Sequence, residues 1–284
     1  PNTFIPLTMK PTRFTALVCL VAALALLLNT GCKKDSNSES ENAMTALQEI
    51  GQAENINADM DHLDAEAAMT SGVSNQRTSE TGRFGFGSCA SILRDSINHT
   101  VTIDFGTGCT GQDGRTRSGQ ILITYSGRYF DPGATWTVVF SDYHVDGRLI
   151  EGSRSVTNNG FNAAGNMVWN IDAQNMRVTL PDGRWKTWNS QRTREMIDGF
   201  GDSTCVNDVY RVNGTATGSN DRGDTFQATL TDLVREHDCR WITSGTISVS
   251  SSNRPDRSLD FGSGACDDEA TVTANGQSRI VHLR

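Results

Sequence analysis

Ala134 to Val145 reads ATWTVVFSDYHV, and Asp146-Gly147 follows directly. β-Branched and aromatic residues alternate with polar ones at a period of two, which marks a β-strand ending in a tight turn. The same pattern continues on both sides. HTVTIDF and QILITYSGRYF precede it; NMVWNIDA, NMRVTL, GRWKTWNS, DVYRVNG, TFQATLTDLV, CRWITSGTISVS and RIVHLR follow. Turn signals DPG, VDG, TNNG, LPDG and NGQ separate them. Gln191 to Ile197 alone leaves room for a short helical turn. Roughly 200 residues of short strands without a long helix predict one mainly β domain over 83–284. Its antiparallel strands form a sandwich or an open-barrel meander.

One helix precedes this domain. Met44, Leu47, Ile50, Ala53, Ile56, Met60, Leu63 and Ala67 recur at spacings of three and four, predicting an amphipathic helix over 43–71 that Gly72 ends. Acids fill its other faces: from Asp35 to Glu66 there are nine and no Lys or Arg. A helix lying against the following domain accounts for the narrow stripe better than a free partner-binding helix. Beyond Glu66 the chain holds 21 basic and 24 acidic residues, so it lacks the basic field that nucleic acid requires. No nucleic-acid partner is expected.

The segments TIDFGTGC (102–109) and SLDFGSGAC (258–266) share Asp-Phe-Gly before a glycine and a cysteine. A kinase magnesium site would also need a catalytic-loop HRD, a strand lysine and a glycine-rich phosphate loop, and there is no HRD. Alternation instead turns Phe105 and Phe261 inward and Asp104 and Asp260 outward, where each carboxylate can accept N–H groups of the following turn. Gly119-Gln120 and Gly276-Gln277 follow at similar distances. A weaker echo links YHVDG (143–147) to YRVNG (210–214). Together these predict an internal duplication, with repeats at about 83–200 and 201–284.

Duplication also suggests disulfides Cys89–Cys109 and Cys239–Cys266, leaving Cys205 over. A plain hairpin turning near Ile97 would leave Cys109 about four residues, ~13 Å, past its partner. Gly106 and Gly108 must therefore fold the chain back. No Cys-x-x-Cys or Cys/His cluster, Gly-x-Ser-x-Gly or His-Glu-x-x-His occurs, so no metal, cofactor or catalytic residue is expected. Asp267-Asp268-Glu269 lacks the alternating oxygen ligands of a calcium loop. The candidate binding face is Trp185, Trp188, Arg192 and Arg194 around the Pro181-Asp-Gly183 turn. Trp188, Arg192 and Arg194 share strand parity, and guanidinium groups can stack on indole.

At the other end, Lys10 and Arg13 precede the uncharged run Phe14 to Leu28, which closes in LNTGC at Cys32. The run is short for a spanning helix of about 20 residues and fits a signal peptide over 1–31, with Met9 as the start. LNTGC resembles the lipobox of bacterial lipoproteins, although Asn29 stands where Leu or Val is usual. That resemblance implies lipidation of Cys32, followed by a polar tether over 32–42. With the acidic helix, TIDFGTGCTGQDGRTRSGQI, VTNNG, LPDG and the second DFG segment, the chain resembles a family of uncharacterised lipoproteins of Bacteroidetes-type bacteria. The resemblance implies a β-rich domain on the outer membrane, with display at the cell surface favoured over the periplasmic face. The leading expectation is a non-catalytic binding or accessory module engaging a glycan or an envelope protein. The alternative is a structural lipoprotein docking on an envelope complex through its acidic helix. A hydrolase with a site assembled in space comes third.

Overall fold

A computed structural model describes Pro1, Thr3, 36–73, 89–201, Cys205, 207–251 and 254–284. Apart from Pro1 and Thr3, the expected signal peptide lies outside these residues, as does Cys32. The chain divides into two units, Pro1–Glu39 and Ser40–Arg284. Helix α1 spans Ser36–Thr70. It therefore starts inside the stretch read as a tether, since nothing in SNSESEN breaks a helix. At its other end Gly72 takes a φ of 70° and its N–H reaches the Met69 carbonyl at 3.3 Å.

The remaining described elements are β-strands. The strands are β1 (Ser91–Asp95), β2 (Thr100–Asp104), β3 (Cys109–Thr110), β4 (Thr116–Tyr125), β5 (Thr135–Val145), β6 (Arg148–Phe161) and β7 (Met167–Thr179). They continue as β8 (Trp185–Asp198), β9 (Val209–Asn220), β10 (Thr225–Glu236), β11 (Ser244–Ser251), β12 (Arg254–Ser263), β13 (Glu269–Ala274) and β14 (Gln277–His282). All belong to one sheet in the order β1-β2-β4-β5 and so on to β14, with β3 added beside β4. Each pairing is antiparallel, so the fold is an open meander and not a sandwich. Gln191 to Ile197 is strand within β8, and NMVWNIDA and NMRVTL form the single strand β7.

Bulges give the sheet its curvature. β7 shifts register against β8 between Ala173 and Met176, and β10 shifts against β9 between Leu230 and Leu233. At these places Asn175 and Asp232 adopt φ values of 51° and 48°. Their freed N–H groups bond Asn189 and Asn213 side chains on the next strand at 2.7 and 2.8 Å. A glycine on the facing strand makes room for such a bulge: a Cβ on Gly119 would lie 2.0 Å from the Asp142 carbonyl oxygen. Each bulge adds bend and twist.

The curled sheet encloses α1. Leu47, Met60, Leu63 and Ala67 are buried, and so are Asn55, Asp59 and Asp64 on the acidic faces. The C-terminal half of α1 packs with Val101, Ile121, Trp136 and Trp169, whereas Ala43, Met44 and Leu47 pack with Leu230, Leu259 and Val272. Gly51 sits inside the helix because space is short there: an added Cβ would be 2.8 Å from Leu283 Cδ2. Distant loops meet across the curl. Arg240 Nη1 donates to the Asp113 carbonyl at 2.7 Å, and Arg115 Nη2 to the Arg240 carbonyl at 3.3 Å.

The outer face is different in kind. Cross-strand neighbours Thr100, Thr124, Thr137, Ser155, Asp172 and Gln191 form one row on β2 and β4 to β8. The row continues through Thr215, Thr229, Ser248, Ser258, Thr273 and Ser278. Hydroxyl and amide groups on the outside are the reverse of the apolar band that a lipid-facing strand presents.

The two DFG segments are built alike. Asp104 Oδ1 accepts the Gly106 N–H at 2.7 Å, and Asp260 Oδ1 accepts the Gly262 N–H at 2.8 Å. Phe105 and Phe261 are both buried. Both disulfides form, Cys89–Cys109 with Cα atoms 5.6 Å apart and Cys239–Cys266 with 5.8 Å. Gly106 and Gly108, with φ of 59° and 140°, fold the chain back so that Cys109 pairs on β4 opposite Arg117. The other echoes do not superpose. Gly119-Gln120 lies within β4 beside Asp104, whereas Gly276-Gln277 lies at the β13–β14 turn. Likewise Asp146-Gly147 is the β5–β6 turn, and Asn213-Gly214 is inside β9.

Candidate functional site

The enclosed acids of α1 meet arginines planted on the inward parity of the strands. Arg117 Nη2 donates to both carboxylate oxygens of Asp59, at 2.7 and 2.8 Å, and to Asp113 at 2.5 Å. Arg154 bonds Asp61 and lies 3.5 Å from Asp64. Arg192 grips Glu54 through both terminal nitrogens, one at 3.0 Å. Burial works to raise the Asp59 carboxyl, but Arg117 and Arg115 outweigh it and hold it far below the carboxylate range. Asp61 is likewise held low by Arg154 and Arg194 against burial. For Asp64 burial prevails over Arg154 and pushes the carboxyl up to about 6.

The predicted binding face is divided by this arrangement. Trp188, Arg192 and Arg194 do share parity, but the side they share is the interior, where all three are buried. The guanidinium-on-indole stacking exists, with Arg194 over Trp169 at 4.9 Å and not over Trp188. Arg194 Nη1 donates to the Asp61 carbonyl at 2.9 Å, and its other terminal nitrogen bonds the Tyr129 hydroxyl. These residues hold the helix in the sheet.

Trp185 is only half-buried. It begins β8, after the turn at Pro181–Gly183, and Arg177 stacks on its ring at 4.6 Å. Trp185 lines a cleft of about 80 Å³ between the N-terminal half of α1 and the β7–β8 and β9–β10 turns. Asn42, Thr45, Gln52 and Asn220 line it with amide and hydroxyl groups; Arg148, Arg184, Lys186 and Arg222 add positive charge. Glu49 at its floor joins Arg184 at 2.6 Å and Lys186 at 2.7 Å. Burial works to raise the Glu49 pKa, but Lys186 and Arg184 keep it below its ordinary value. Burial lowers Lys186 in spite of Glu49. Arg222 stands exposed on the turn, its backbone N–H donating to Asn220 Oδ1 at 3.0 Å.

A second convergence lies farther along α1. Cys205 Sγ is 3.4 Å from His237 Nε2, the His237 ring is 4.3 Å from that of His62, and His62 Nε2 is 3.7 Å from Glu66. Sequence spacing gave no sign of it, because the parts come from α1, the β8–β9 connection and the end of β10. Cys205 is buried. Asp268, in the run Asp267-Asp268-Glu269, accepts bonds from His282 and Arg284.

Among the described residues no group of three or more His, Cys, Asp or Glu is arranged to hold a metal ion, and no helix is long and apolar enough to cross a membrane. No family model, curated protein or solved structure matches the chain.

Proposed function

We propose that this chain is a lipid-anchored, non-catalytic binding module of the bacterial outer membrane, which takes a glycan in the Trp185 cleft. The observation that carries the reading is the cleft itself. An indole at its edge stands among amide, hydroxyl and guanidinium groups fixed by the rigid helix–sheet frame. Sugar rings set their C–H faces against aromatic rings and their hydroxyls on such convergent polar groups. The anchor part of the proposal rests on LNTGC ending at Cys32.

Titration of the mature chain with oligosaccharides of the envelope and its surroundings tests the binding part. Trp185→Ala should weaken the best ligand at least about tenfold, the loss expected for an aromatic anchor worth more than 1.4 kcal/mol. Unchanged affinity in that variant, or no glycan bound by the natural chain, would overturn it. Docking through α1 gains no support, because Met44, Leu47, Met60, Leu63 and Ala67 on its stripe lie beneath the sheet.

A further inference from the structure

Arg235, on the inward face of β10, is 9% exposed. Its Nε donates to the Cys239 carbonyl at 3.1 Å, and its Nη1 has no hydrogen-bond partner. Among the described residues no carboxylate stands within ion-pair distance of it, unlike Arg115, Arg117, Arg154 and Arg192, each of which meets an acid. A buried guanidinium without a counter-charge is costly to the folded chain. Burial accordingly presses its pKa down to about 10 despite the more distant Asp59.

Arg235 lines a cavity of about 40 Å³ beside the C-terminal half of α1. Arg194, whose Nε also lacks a hydrogen-bond partner, lines the same space, as do His62 and His237. Asp61, Asp208 and Glu236 border it too. Asp61 is taken up by Arg154, and Asp208 accepts the Tyr210 hydroxyl at 3.0 Å. Ala58, Ala65 and Met69 form the apolar wall. The space is too small for a sugar ring, and water in it would leave the Arg235 charge without a counter-ion.

We infer that this cavity is a binding site for one small anion, of halide or single-carboxylate size, held by Arg235 and Arg194. The anion supplies the missing counter-charge and ties β10 to α1. Because it binds only where helix and sheet meet, it stabilises the folded chain in proportion to its occupancy.

The test uses the mature chain at constant ionic strength, with gluconate replaced stepwise by bromide or, separately, by formate. The midpoint of thermal unfolding should rise and saturate with at least one of them. In Arg235→Met, whose fold is checked by circular dichroism, that saturable rise should vanish. Crystals of the natural chain grown in bromide should show an anomalous peak in the cavity, a readout that does not depend on the variant folding. Equal anion response in both chains, no saturable rise with either anion, an empty cavity in the bromide map when bromide raises the midpoint, or a bromide peak without a saturable rise would each overturn the inference.

Discussion

Arg117 and Asp59 share two hydrogen bonds at 2.7 and 2.8 Å across 58 residues of sequence, and each is only 1% exposed at its side chain. A buried pair of this kind is costly to break and cheap to replace as a unit. Asp59→Ala should therefore lose about 3–5 kcal/mol of unfolding free energy, because Arg117 would keep only Asp113. Asp59→Leu with Arg117→Met should lose far less. Urea unfolding of the three chains measures both, and equal losses in single and double variants would refute the pairing.

Acid should act on stability in two opposite stages. Asp64 has a folded pKa raised to about 6 by burial, so the folded chain binds a proton the unfolded one does not between that value and the ordinary carboxylate range. Stability should rise as pH falls from 7 toward 4.5, by on the order of 1–3 kcal/mol. Asp59 and Asp61 are depressed in the folded state, so their contribution is present above the ordinary range and disappears as pH falls through their folded values. The urea midpoint should peak between these windows. In Asp64→Asn the rise from pH 7 to 5 should be absent while the acid loss remains.

The strand grammar was legible because side-chain direction has a period of two, and a curled sheet does not change that period. Parity also put Trp188, Arg192 and Arg194 on one side. It could not say which side, since arginines are ordinarily outside. The clue was present: Arg154 shares parity with Val156, and Arg235 with Leu233, so charges occupy positions otherwise given to the core. The acids of α1 looked solvated for the same reason; their partners lie on strands far along the chain. Cys205 and His237 meet only through the fold, 32 residues apart, with no spacing to announce them.

The disulfide at Cys89–Cys109 closes a loop of sequence separation 20. Replacing both cysteines with serine should lower stability by about 3 kcal/mol, in line with the chain entropy of a loop of that size. Peptide mapping without reductant should recover this pair and Cys239–Cys266, with Cys205 as a thiol. A free thiol at Cys89 and Cys109 in the natural chain would contradict the pairing.

Gly119→Ala tests the bulges that bend the sheet. The residue has a φ of 78°, and its new methyl would meet the Asp142 carbonyl. A loss greater than about 1 kcal/mol is expected, against a gain of a few tenths where the backbone is ordinary. Thermal unfolding decides it, and an unchanged midpoint would mean that β4 and β5 part more easily than their register indicates.

Cys32→Ser addresses the anchor. The chain should move from the membrane fraction to the soluble one after alkaline extraction, since the proposed acyl chains are its hold on the bilayer. Firm retention of the variant would exclude anchoring at that residue.

The enclosure of α1 has a consequence for assembly. The helix is synthesised before any strand, yet Gln48 donates to the His282 carbonyl at 2.7 Å across 234 residues. Arg117, Arg154 and Arg192 reach their helical acids across 58, 93 and 138 residues. Contacts so remote in sequence delay folding, because the loops they close must be ordered first. Until β8 is made, Asp59, Asp61 and Glu54 of α1 lack some of these arginine partners. The charges that lock the finished domain are therefore the same ones that stand close together along the helix before its strands are in place.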